Sequence, residues 1–225
     1  MPNTRTSLSI ALALLLAAGT AAAQQDISKV NGSVLAQAGQ QYGDVSTVNG
    51  SVTVETGASV EDAETVNGSI RTGDDVNADS LSTVNGSIRV GERATLRGGV
   101  ETVNGSIFVD RASTVGGGVS TVNGAIGLVG VQVGGGIETV SGDVTVGVGS
   151  RVAGGLKVNK PNSNWFPVRV GGNRKPRIII GPQAVVDGEL VFEREVTLYV
   201  HETARIGKVT GATAIPFSGA RAPTE

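Results

Sequence analysis

The chain of 225 residues contains no cysteine, one histidine, one methionine and one tryptophan. Without cysteine there is no disulfide, thiolate metal site, iron–sulfur ligand or cysteine nucleophile. A single histidine excludes centres that take two or three imidazoles from one chain. Aromatic residues make up 3% of the chain, too few for the interface girdles of an outer-membrane barrel. Charged residues make up 17%, below the usual share of about 25%. What replaces them is glycine: 34 residues, with only 7 prolines beside them. That glycine share is about twice the ordinary one, yet glycine and proline together stay under the ~25–30% that marks low-complexity disorder.

The N-terminus has the layout of a secretory leader. Arg5 supplies a basic start, Ile10 to Ala18 an apolar core, and Ala21-Ala22-Ala23 a small-residue cleavage site. Residues 1–23 are therefore expected to be a signal peptide. The apolar core is too short to span ~30 Å of hydrocarbon. No later run approaches the length of a membrane span, so no transmembrane segment is expected in the mature chain. Export to the periplasm, or beyond it to the cell surface, follows as an expectation.

Everything after the leader is periodic. Val-Asn-Gly begins at Val30, Val48, Val66, Val84, Val103 and Val122, and a Val-Ser-Gly begins at Val140. The spacings are 18, 18, 18, 19, 19 and 18 residues. Each unit holds three short β-type runs divided by glycine or Asn-Gly. An Asn-Gly between apolar runs is also a hairpin signal, but hairpins do not require one column to repeat in every unit. A fixed period with three runs per unit predicts an all-β fold: a single-stranded parallel β-helix, three-sided, with 18–19 residues per turn and about nine turns over residues 24–207. Stacking at ~4.8 Å per turn gives a rod on the order of 40 Å long.

Residues one period apart support that stacking. Val52, Ile70, Ile88, Ile107, Ile126 and Val144 form one apolar column. Asn31, Asn49, Asn67, Asn85, Asn104 and Asn123 form an expected amide ladder, with each asparagine and the glycine after it tolerating the positive φ of a tight corner. Ser28, Ser46, Glu64, Ser82, Glu101, Ser120 and Glu138 share a column in which no two glutamates are consecutive. In-register strands demand this spacing, because like charges directly opposite one another repel.

The rhythm breaks at residues 157–177, KVNKPNSNWFPVRVGGNRKPR, which is expected to leave the coil as a basic loop. It carries six basic residues and no acid. Residues 24–154 hold 7 basic against 14 acidic residues, and residues 155–225 hold 10 against 6, so an acidic shaft carries a basic end. Two readings of the loop stand side by side. Trp165 and Phe166, with Lys160, Arg169, Arg174, Lys175 and Arg177, form a candidate site for an envelope polysaccharide or other anionic ligand. The same residues also suit a flap that covers the open edge of the coil. Residues 208–225 are expected to be a C-terminal cap or tail.

No constellation of catalytic residues emerges. His201 stands alone, Asp74 and Asp75 pair in one turn only, and the column Thr47, Thr65, Thr83, Thr102, Thr121 and Thr139 reads as a structural ladder. No metal or cofactor is expected, and export with an acidic shaft argues against nucleic acid. At the level of the repeat, GASVEDAETVNGSI and VFEREVTLYVHETARIGKV resemble the glycine-punctuated pattern of bactofilins, polymer-forming proteins of the bacterial cytoskeleton. ETVNGSI and ETVSGDVTV resemble exported β-strand-repeat proteins of the predicted-adhesin type. The resemblance implies a β-helix, self-association end to end or laterally, and no catalytic residues. Together these features predict a non-catalytic structural or self-associating protein of the cell envelope, with adhesin-like binding through the loop as the alternative.

Overall fold

The computed structural model describes residues 25–161 and 175–223. Among these the fold is all-β. Three parallel sheets of ten, ten and seven strands form the sides of a β-solenoid of about nine turns. The leader at residues 1–23 lies outside the described residues, as do Trp165, Phe166, Arg169 and Arg174 of the loop. No helix among the described residues is long and apolar enough to cross a membrane.

The first sheet begins at Gln25–Asn31 and contains the Val-Asn segments, for example Val100–Asn104 and Val119–Asn123. The second begins at Val34–Ala36, and the third builds up from Asn77–Ala78. Every strand pairs with the strand one turn away. Ile88 thus lies between Ile70 and Ile107, and Val100 between Leu81 and Val119. Ten strands at ~4.8 Å spacing make a rod of about 43 Å. The interior is filled by the predicted column, which continues through Ile178 and Leu198, and by Val45, Ala63, Leu81, Val100, Val119, Ile137 and Leu156 from the facing sheet. Compact branched side chains suit an interior closed in by three sheets.

The Ser/Glu column stacks as its spacing demands: Ser46 opposes Glu64, Glu64 opposes Ser82, and Ser82 opposes Glu101. The asparagine ladder is also present. Each side-chain amide donates to the asparagine of the preceding turn, from Asn49 to Asn31 at 3.1 Å through Asn123 to Asn104 at 3.0 Å.

The three corners use glycine for different reasons. At the Asn-Gly corner, between the first and second sheets, positive φ is not the requirement. Gly32 (φ 101°) and Gly124 (φ 144°) adopt it, whereas Gly50, Gly68, Gly86 and Gly105 do not. Glycine is needed there because the turns touch: a Cβ on Gly86 would lie 1.8 Å from the Gly68 carbonyl oxygen. Close backbone contact also governs the Gly-Gly corner between the third and first sheets, where a Cβ on Gly135 would meet Gly117 at 2.7 Å. The left-handed conformation belongs to the remaining corner, between the second and third sheets. Its column runs Gly39, Gly57, Asp75, Arg93, Ala112, Gly130, Gly149 and Gln183, with φ of 54° to 71° throughout. Half of that column therefore holds side chains where glycine is the unstrained choice.

The coil runs past Gly207 into the segment expected to be a cap. Val209–Thr210 adds a strand to the first sheet and Ala214–Phe217 to the second.

These contacts set two expected outcomes. Ala112 is exposed with φ 59°, so Ala112→Gly should stabilise the protein by about 1 kcal/mol in chemical denaturation. Gly86→Ala forces two turns apart and should cost about 3 kcal/mol. Equal effects of the two substitutions would contradict the assignment of strain to one corner and close contact to the other.

Candidate functional site

The two ends of the loop meet one acidic turn, Glu193-Arg194-Glu195. Lys157 Nζ lies 2.9 Å from Glu193 Oε1, and the main-chain N–H of Lys160 donates to Glu193 Oε2 at 3.1 Å. Lys175 Nζ lies 2.9 Å from Glu195 Oε2 on the returning side. Arg194 reaches across the stack and donates to the Val140 carbonyl at 3.0 Å and to Ser141 Oγ at 3.3 Å. Glu193 is held below the ordinary carboxylate range by its hydrogen bonds to Lys157 and to the Lys160 N–H. Glu195 is lowered in the same way by Lys175.

Of the seven residues predicted to bind a ligand, Lys160, Lys175 and Arg177 fall among the described residues. Lys160 and Lys175 sit at the loop's root, where the Lys175 charge is taken by Glu195 and the Lys160 backbone by Glu193. Glu193 and Glu195 were missed by sequence reasoning. Their signal was present: with the loop excised, Lys157 and Val158 stack on Val191 and Phe192, which brings Glu193 beside the basic stretch.

Arg177 takes a different path. Its guanidinium carbon lies 5.1 Å from the centre of the Tyr199 ring. One terminal nitrogen donates to the Pro223 carbonyl, which ties the C-terminal tail to the second sheet. Its Nε is buried and has no hydrogen-bond partner.

The outer face of the first sheet carries two stripes. The Ser/Glu column flanks exposed valines: Val30 is 67% exposed, and Val48, Val66 and Val84 are about 40% exposed. Between them runs a shallow groove of about 550 Å³ along several turns. The threonines beneath it point inward. Thr83 Oγ1 donates to the Gly68 carbonyl at 2.9 Å, and the same bond joins Thr65 to Gly50 and Thr102 to Gly86. The threonine column therefore stitches each turn to the Asn-Gly corner of the turn before it. A further seam at that corner was not anticipated. The N–H of Ser51 donates to Ser33 Oγ, and Ser69, Ser87 and Ser106 continue the pattern at 3.2–3.4 Å. Along this face the hydroxyls and amides serve the stack, and their chemistry is repetition.

His201 and the acid pair Asp74-Asp75 are also engaged. His201 Nε2 accepts the Gly219 N–H at 3.3 Å, Nδ1 lies 2.9 Å from Thr203 Oγ1, and the ring packs edge-on against Phe217 with centroids 5.0 Å apart. Asp75 holds Arg93 in a two-point contact at 2.8 and 2.9 Å, which lowers the Asp75 pKa, and Asp74 lies 3.6 Å from the same guanidinium. Among the described residues no three acidic or imidazole side chains group in a way that could hold a metal ion.

Comparison with protein-family models, with curated proteins and with solved structures returned no match. The likeness to bactofilins and to exported strand-repeat proteins thus rests on the repeat pattern alone.

The clamp at the loop's root makes a pH-dependent prediction. A carboxylate whose folded pKa is lowered contributes stability above its unfolded pKa, and that contribution is lost as pH falls through the folded value. The Lys160 amide resonance should therefore move with the Glu193 titration, with a midpoint below the ordinary glutamate value. Glu193→Gln should abolish the movement, and an unchanged titration in that variant would refute the clamp.

Proposed function

We propose that this chain is a non-catalytic, exported structural protein of the bacterial envelope that associates with a second copy of itself through the N-terminal edge of its coil. The observation that carries this reading is the inequality of the two ends. At the N-terminal end, among the described residues, Gln25–Asn31 pairs on one side only, with Tyr42–Asn49. It offers a seven-residue parallel edge, with exposed Val30 and, on the adjoining side, Leu35 at 47% exposure. Asn31 accepts from Asn49, which leaves its own amide at this edge. Unpaired backbone groups and apolar side chains at a strand edge are a template for further pairing.

At the opposite end the edge strands of the first and third sheets, Val209–Thr210 and Arg205–Ile206, are only two residues long, and that of the second sheet is blunted. The Phe217 carbonyl accepts the Glu202 N–H and so faces back into the coil. Strand alternation turns the preceding residue, Pro216, toward the open end, where it has no N–H to give. An open end that meets its own copy closes a two-fold pair and grows no filament. Export rests on the leader pattern of residues 1–23. Polysaccharide binding by the loop has less support, because the Lys157 and Lys175 charges already have partners at its root.

Sedimentation of the processed protein should show a concentration-dependent dimer. Val30→Lys, at an exposed edge position that leaves the core untouched, should shift it to monomer. A strict monomer at the highest soluble concentration, or open-ended filaments, would overturn the reading.

A further inference from the structure

The outer face of the second sheet changes character along the rod. Successive outward positions are Leu35, Thr53, Arg71, Arg89, Phe108, Gly127 and Thr145, and then Ile179, Tyr199 and Ile215. The face is thus mixed over most of its length and carries consecutive apolar residues only in the last turns. Tyr199 points outward from the sheet yet is only 6% exposed. The tail covers this region: Phe217 turns into residues 218–223, and Arg177 is bonded to the Pro223 carbonyl.

Sheet and tail do not close completely. A half-open cavity of about 540 Å³ remains between them. That volume lies within the ~300–1,000 Å³ range of small-molecule sites. Its apolar walls include Ile179 from the sheet, Val148 and Pro182 from the corner, and Phe217 from the tail. Val148 is 51% exposed. Among the described residues the charged side chains that line it are Arg177 and Arg221, and no acid does. Asp143, which accepts the Arg177 main-chain N–H at 2.9 Å, is not among the lining residues. Among the described residues Arg221 makes no ion pair, and the buried Nε of Arg177 has no acceptor.

We propose that this cavity binds an amphiphile: an unbranched apolar chain that ends in a single anionic head. The chain would lie along Ile179, Val148 and Phe217, and the head would meet the two guanidiniums. A carboxylate or phosphate oxygen would make charge-assisted contacts to the guanidiniums and balance the two like charges that line the cavity. An entirely apolar ligand would leave the positive charge at the cavity wall unbalanced. A free inorganic anion would leave the apolar walls wet. The site lies at the opposite end of the coil from the edge proposed for self-association and stands independently of that reading.

Isothermal titration of the protein, purified in the form the cell accumulates, tests this with dodecanoate, dodecyl phosphate and the uncharged dodecyl maltoside, each below its micellar threshold. Saturable one-to-one binding of either anionic probe, at least about tenfold tighter than the maltoside, is expected from charge-assisted contacts. The better of the two anionic probes identifies the head as carboxylate or phosphate. Arg221→Ala, at an exposed tail position, should weaken that binding about tenfold while leaving the melting temperature unchanged. Val148→Glu, also exposed, should abolish it. Absence of saturable binding, equal affinity for the maltoside, or full affinity in Arg221→Ala would each overturn the proposal.

Discussion

Contact between the main chains of successive turns governs this molecule. A parallel β-helix gains its backbone hydrogen bonds only if each turn lies flat on the one before it, and corners decide whether it can. At the Asn-Gly corner the glycines approach so closely that a Cβ on Gly68 would lie 1.9 Å from the Gly50 carbonyl oxygen. Once the backbones meet there, register is set for whole turns. Isoleucine falls on isoleucine, asparagine on asparagine, and glutamate is forced to alternate with serine. The buried threonine hydroxyls reinforce the same joint by donating to the corner carbonyls.

A stack of equivalent turns spreads its chemistry evenly, and this shapes what the protein can do. Each polar group on the first sheet serves the same group one turn away. Departures from repetition are therefore where specific behaviour concentrates. They occur at the ends: among the described residues, a long strand paired on one side at one, and at the other a proline, a loop clamped by Glu193 and Glu195, and a tail bonded to Arg177. The aromatic residues follow the same division. Phe192, Tyr199 and Phe217 are buried only in the last turns, where the coil gives way to covering segments.

Much of the solenoid was legible in the chain because repetition turns local pattern into global geometry. The period yields the number of sides and the stacking columns, and the Ser/Glu alternation yields the register. Other features were hidden for a physical reason. The role of the Asn-Gly glycine as a contact point depends on the distance between two turns, which no single repeat encodes. The left-handed corner was obscured because Asp75, Arg93, Ala112 and Gln183 occupy it in place of glycine, so composition does not mark it. The acidic clamp was hidden by the loop, which separates Lys157 from Glu193 by 36 positions in the chain while stacking brings them to 2.9 Å.

The sequence by itself determined the coil: all-β, three-sided, in register, with a branched aliphatic interior and an asparagine ladder. Those properties follow from period and residue type, since each turn interacts chiefly with copies of itself. Only the tertiary structure decided which charges are paired, that the stack continues to Phe217, that a proline stands in the last strand of the second sheet, and that the tail leaves an arginine-lined hollow over that sheet. These depend on where non-repeating segments come to rest, and a segment with no period has no neighbour in the chain from which its contacts can be read.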